Sequence, residues 1–130
     1  MGEKLNILFV DDEPDFLETT VKRLARRGYE ARTAVSCDEA LEVLESGWPD
    51  VVVLDVMLAG TDGIQCLQEI KRRWPLMTVI MLTGHASMNA GIRGLEYGAN
   101  DYCMKPIELD ELMEKITIAW RETNSTARKQ

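Results

Sequence analysis

A chain of 130 residues, 45% apolar and 28% charged, has the size and make-up of one globular domain with its own core. Its net charge of −7 excludes non-specific attraction to nucleic acid or to an anionic membrane surface. No apolar run approaches membrane-spanning length, the first residues lack a signal-peptide core, and Cys37, Cys66 and Cys103 share no metal-like spacing, so a reduced, cytoplasmic chain is expected.

The first apolar run, Leu5–Val10, reads as a strand and meets Asp11, Asp12 and Glu13 before Pro14 restarts the chain. Phe16, Leu17, Val21 and Leu24 then fall at helical spacing, with Gly28 as a stop. Tyr29–Ala34 is a weaker, more polar strand suited to a sheet edge, and Ser36 or Asp38 is placed to cap the helix that ends near Gly47. Val51–Leu54 and Met77–Leu82 are nearly unbroken apolar runs, the pattern of strands covered on both faces. Between them Ile64, Leu67, Ile70 and Trp74 form a helical stripe that Pro75 ends. The next helix carries Gly91 and Gly94 in its interior, which points to close packing or to a helix that shifts. Asp101–Met104 is a second edge strand, and Leu109, Leu112, Met113, Ile116 and Trp120 mark the last helix. The polar end, residues 123–130, is expected to be a tail or the start of a linker, with residues 1–122 as the domain.

Strands and helices alternate five times, which predicts a parallel sheet with helices on both faces and right-handed crossovers. Ligands of such sheets bind at the carboxyl ends of the strands. There the sequence places Asp11, Asp12 and Glu13, then Asp55, then Thr83 with Gly84, then Lys105 with Pro106. Adjacent carboxylates repel unless a cation or donors relieve them, and an all-oxygen set suits a hard divalent cation, Mg2+. With a hydroxyl and an ammonium beside it, such a set suits phosphoryl transfer to a carboxylate better than acid–base work.

"DDE", "LDVMLAGTDG", "LTGHA" and "YCMKP", in this order and at these spacings, resemble the receiver domain of two-component response regulators over about residues 4–120. The resemblance implies a doubly wound α/β fold, a five-stranded parallel sheet of flavodoxin-like order 2-1-3-4-5. It makes Asp55 the phosphoacceptor and Mg2+ the cofactor, held by Asp12 directly, by Asp11 largely through water, by Asp55 and by the Met57 backbone carbonyl. Thr83 and Lys105 would each contact a phosphoryl oxygen, and Tyr102 would be the aromatic whose rotamer follows activation. The Lys105–Pro106 bond becomes a candidate cis peptide. Gly84, His85 and Pro106 would shape the site, with Met57 and His85 at positions that influence the lifetime of the phosphoryl group. Ala59 stands where the family usually has proline.

The implied function is a signalling switch that takes a phosphoryl group from a histidine kinase or phosphotransfer protein and then changes its partner-binding surface. It is not an enzyme with a turnover substrate, touches neither nucleic acid nor membrane, and could form a homodimer through the face of the fourth helix, fifth strand and fifth helix. A constitutive interaction module on the same fold is the alternative. A magnesium phosphohydrolase fits less well, because Met57 stands where a second carboxylate would be needed, and no glycine-rich nucleotide fingerprint occurs. The blander reading of Asp11 and Asp12 is that they cap the helix beginning at Pro14. Cys103 reads as a packing residue.

Overall fold

The computed structural model describes residues 4–58, 61–84 and 88–128, without the side chains of residues 61, 88, 90, 91 and 125–128. Five strands, β1 (Asn6–Val10), β2 (Glu30–Ala34), β3 (Val51–Asp55), β4 (Thr78–Thr83) and β5 (Asp101–Met104), form one parallel sheet in the order β2-β1-β3-β4-β5. The expected flavodoxin-like order is thereby borne out. Five helices cover it: α1 (Pro14–Arg26), α2 (Cys37–Glu45), α3 (Gly63–Arg73), α4 (Met88–Glu96) and α5 (Leu109–Arg128).

The alternation of side chains along each strand divides the interior in two. Leu8, Val10, Val52, Leu54, Val79 and Met81 face a cluster that includes Ala40 and Leu44 of α2 and Ile64, Leu67 and Ile70 of α3. Ile7, Phe9, Val51, Val53, Ile80 and Leu82 face Leu17 and Leu24 of α1 and Leu112, Met113 and Ile116 of α5. Burial on both faces is why the central strands lack polar alternation, whereas β2, at an edge, keeps Glu30, Thr33 and Arg32 at least partly exposed.

Local chemistry sets the helix boundaries. Ser36, not Asp38, caps α2, its Oγ accepting from Glu39 N at 3.2 Å while Glu39 Oε1 accepts from Val35 N at 3.4 Å. Asp62 caps α3 through Ile64 N at 2.9 Å. Gly28 follows α1 at φ +83°, the left-handed conformation that ends a helix most cheaply with glycine. In α4, a Cβ on Gly94 would lie 2.8 Å from Met81 Cγ, so this glycine serves close packing of α4 on β4. The surroundings of Gly91 lie outside the described residues.

Two features depart from expectation. Residues 123–128, expected as a tail, continue α5, with Thr123 Oγ1 donating to Ala119 O and Asn124 Nδ2 to Trp120 O, both at 2.9 Å. The expectation of three reduced cysteines is corrected for one pair: Cys37 and Cys66 form a disulfide, their Cα atoms 5.7 Å apart although 29 positions separate them. Cys103 is free and buried, and desolvation pushes its thiol pKa up to about 11. Among the described residues no helix is long and apolar enough to cross a membrane.

Candidate functional site

β1 and β3 are neighbours in the sheet, so the residues at their carboxyl ends must converge. Asp11, 2% exposed, keeps its backbone in line with β2 through Asp11 N–Ala34 O at 3.1 Å. Asp12 and Glu13 follow on the exposed side. Neither aspartate caps α1: its N-cap is Glu13, which makes no side-chain cap bond, and Asp11 Oδ1 instead accepts from Glu13 N at 3.0 Å. Pro14 at the first helical position lowers the need for a cap, because it has no N–H to satisfy.

Asp55 ends β3 almost wholly buried, and its Oδ1 accepts from Met57 N at 2.9 Å. Met57 and Leu58 then pair antiparallel with Thr61 and Asp62, a short ladder that folds the loop back. Gly63 closes it. Its N–H donates to Val56 O at 2.9 Å, and a Cβ there would lie 2.2 Å from Asp55 O and 2.6 Å from Val56 Cα. Only a residue without a side chain allows this approach.

Lys105, just past β5, reaches across the edge. Its Nζ donates to Asp11 Oδ2 at 2.7 Å, Glu13 Oε1 at 3.1 Å and Asp55 Oδ2 at 3.2 Å, and lies 4.5 Å from the centroid of the Phe16 ring. The Lys105–Pro106 bond is cis. Lys105 N donates to Thr83 O at 2.6 Å, and the fully buried Thr83 turns its hydroxyl to Cys103 O at 3.4 Å. Tyr102 is half-buried against the cluster beneath α2 and α3. Gly84 follows Thr83 with open space where a Cβ would be, and Pro106 is exposed. His85 and Ala59 lie outside the described residues.

Asp11, Asp12, Glu13 and Asp55 each offer a carboxylate oxygen, all within 4.8 Å of one another. Burial, above all, raises the pKa of Asp11, with Asp55 adding repulsion against the relief from Lys105 and from Glu13 N–H. Burial also opposes charge on Lys105, yet the Asp11 hydrogen bond and the charges of Asp55 and Asp11 outweigh it and raise its pKa. One ammonium cannot neutralise four carboxylates. The donor set, all oxygen and in excess of its counter-charge, therefore fits a hard divalent cation.

Sequence reasoning placed Asp11, Asp12, Asp55, Thr83 and Lys105 at one sheet edge, and the structure does bring them there. It did not assign Glu13 a contact with Lys105, although "DDE" itself puts a third carboxylate beside the pair. Phe16 was read as core. No sequence signal marks its ring as the surface under an ammonium.

A doubly wound parallel sheet with a buried aspartate, an acidic cluster and a bridging lysine at its carboxyl edge defines a class of α/β domain whose acidic edge fits a hard cation. A family model of the response regulator receiver domain matches residues 7–117, and the chain belongs to that family, the receivers of two-component response regulators. It is 39% identical over 124 residues to a probable transcriptional regulator, ycf27, of Guillardia theta, covering 95% of this chain and 48% of that protein. It is 37% identical over 110 residues to the nitrogen assimilation regulatory protein NtrX of Azorhizobium caulinodans, covering 83% of this chain and 24% of the relative. The chain thus spans about a quarter to a half of these relatives. The receiver domain of NtrX from Brucella abortus superposes with a TM-score of 0.83 at 35% identity, over 88% of this chain and 98% of that one. A CheY-like receiver from Methanospirillum hungatei gives 0.86 at 31%, over 95% and 99%.

Proposed function

We propose that this receiver is a phosphorylation-controlled switch in which Asp55 accepts a phosphoryl group from a phosphohistidine on a histidine kinase or phosphotransfer protein. The observation that carries the reading is Lys105, bonded at once to Asp55 and Asp11 inside a cluster of four carboxylates. Asp11, Asp12, Asp55 and the Met57 carbonyl would hold Mg2+. Bound there, Mg2+ supplies positive charge against the crowded carboxylate and phosphoryl oxygens.

In the transfer a carboxylate oxygen of Asp55 attacks phosphorus while the phosphorus–nitrogen bond breaks and the imidazole nitrogen keeps its electron pair. Burial of Asp55 limits competing water at the acceptor. Lys105 then exchanges its bond to Asp55 for one to a phosphoryl oxygen, staying anchored by Asp11. Thr83 leaves Cys103 O and donates to another phosphoryl oxygen, and Tyr102 turns inward as that space opens. The added charge and acceptor oxygens bias the face of α4, β5 and α5 toward a partner-binding form. Gly84 and Pro106 shape the loops around these groups. Residues 1–122 hold the switching groups, and the reaction belongs to the cytoplasm. The α4–β5–α5 face is also where a homodimer would form.

Intact mass after incubation with acetyl phosphate tests this, with and without Mg2+, for wild type and Asp55→Asn. The expected result is one phosphoryl group gained by wild type only with Mg2+, and none by the variant. Where acetyl phosphate fails, a phosphorylated histidine kinase is the second donor. If neither donor labels Asp55, the domain is a constitutive interaction module instead.

A further inference from the structure

Cys37 is the first residue of α2 and Cys66 lies in α3, three residues after the Gly63 that packs on the backbone of Asp55. Both sulfurs belong to the cluster under that face, at 8% and 1% residue exposure, and their Cα separation of 5.7 Å is within the range a disulfide spans without backbone movement. Cys103 sits in the cluster on the other face, so the sheet separates it from the pair. The cross-link therefore ties the helix after β2 to the helix that leads out of the Asp55 loop.

We propose that Cys37 and Cys66 form a reversible redox site that exchanges with a low-molecular-weight disulfide of the glutathione class, and whose oxidation state sets how firmly α2 is held against α3. This does not rest on the phosphoryl-transfer reading. Cys37 is the outer sulfur and the entry point. It stands at a helix N-terminus, where free N–H groups favour a thiolate. The first turn of α2 is held by the exposed Ser36–Glu39 and Glu39–Val35 bonds, so exchange needs only local opening of that turn. Cys66, sealed beneath, is the resolving partner.

Oxidation runs in two exchanges. The Cys37 thiolate attacks one sulfur of oxidised glutathione, forming a mixed disulfide and expelling one glutathione thiolate. Cys66, its proton passed to solvent, attacks Cys37 Sγ and expels the second. Two protein thiols become one disulfide, one glutathione disulfide becomes two thiols, and the two protons end on glutathione. Reduction reverses both steps. In the dithiol form the two cysteines still fill their places as small apolar side chains, so the fold persists with a looser α2–α3 contact.

The test equilibrates the full chain at a series of oxidised-to-reduced glutathione ratios, quenches with acid, unfolds, alkylates and counts thiols by intact mass. Wild type, Cys37→Ser and Cys103→Ser are compared, with thermal midpoints at each ratio. Wild type and Cys103→Ser are expected to lose two thiols together in one transition and regain them on back-titration. Their midpoint should rise on oxidation by on the order of 10 °C, because the bond closes a long loop in the unfolded chain. Cys37→Ser should show no intramolecular loss and no rise. Three alkylated thiols at every ratio would overturn the proposal. So would a pair that no excess of reduced glutathione opens, which would make it a fixed cross-link, or a loss that disappears in Cys103→Ser. Should Cys37→Ser fail to fold, the wild-type and Cys103→Ser titrations still decide.

Discussion

At the amino ends of the strands, polar side chains close rings of hydrogen bonds. Asn6 N donates to Asp50 Oδ2 and Asp50 N to Asn6 O, both at 2.8 Å, while Asn6 Nδ2 reaches Trp48 O at 3.0 Å. Asn100 does the same one strand in from the other edge: its Oδ1 accepts from Val79 N at 2.9 Å, its N donates to Val79 O at 2.8 Å, and its Nδ2 meets Thr123 Oγ1 at 3.0 Å. At the carboxyl ends four carboxylates crowd one lysine, with their donors outnumbered. At the amino ends the hydrogen bonds lock the strands to the loops, although among the described residues the buried Thr78 Oγ1 has no partner there. Among the described residues the other end is left short of positive charge, which weakens the fold and suits this oxygen set to a hard cation.

The difference is sharpest where the loop geometry of the acidic end is broken outright. Gly63→Ala puts a methyl group into the backbone of Asp55 and Val56, neither of which can yield as a side chain does. A loss of about 3 kcal/mol or more in urea unfolding is expected, together with loss of Mg2+-dependent phosphorylation. At the amino end, Asn100→Ala leaves the N–H of fully buried Val79 without its acceptor and should cost about 1–3 kcal/mol. Asn100→Asp, which keeps that acceptor oxygen, should cost less in the same measurement.

Asp11→Asn should act in the opposite sense, raising stability by on the order of 1 kcal/mol at neutral pH without Mg2+. The sign follows from the raised Asp11 pKa. Protonation favours the fold below the ordinary value of 3.8, that contribution is lost as pH rises through the raised value, and the charged form at neutral pH weakens the fold. Added Mg2+ should raise the thermal midpoint of wild type but not of Asp11→Asn. The smallest effect belongs to Glu69, whose hydrogen bonds from Arg72 and Arg73 hold its pKa at about 2. A lowered carboxyl pKa stabilises above the ordinary 4.5 and is lost as pH falls toward 2, but the side chain is partly exposed and its ion pairs lie at the surface, where solvent screens them. Glu69→Gln should therefore shift the midpoint barely at neutral pH, and not at all below pH 2.

Much of this was legible in the sequence for definite reasons. Unbroken runs such as Val51–Leu54 and Met77–Leu82 occur because both faces of the central strands are covered, and that burial is written directly into composition. Given a parallel sheet, whatever follows each run lies at one edge, so the sequence alone puts Asp11, Asp12, Asp55, Thr83 and Lys105 there. Gly28 and Ser36 act on their own neighbours and could be read locally.

Contacts between elements far apart in the chain could not. The spacing of Cys37 and Cys66 says nothing about how α2 lies beside α3, and an odd cysteine count argued against a pair. A phenylalanine in an apolar stripe looks the same whether it meets another helix or, like Phe16, an ammonium. Residues 123–128 lack an apolar stripe, yet helix propagation from the packed part of α5, with Asn100 on Thr123, carries them to Arg128. The sequence by itself determined the periodic burial, the strand ends and the chemistry at the sheet edge, because these depend on short-range pattern. Only the tertiary structure decided which distant side chains meet, because that depends on how packed helices settle against the sheet to within an ångström or so.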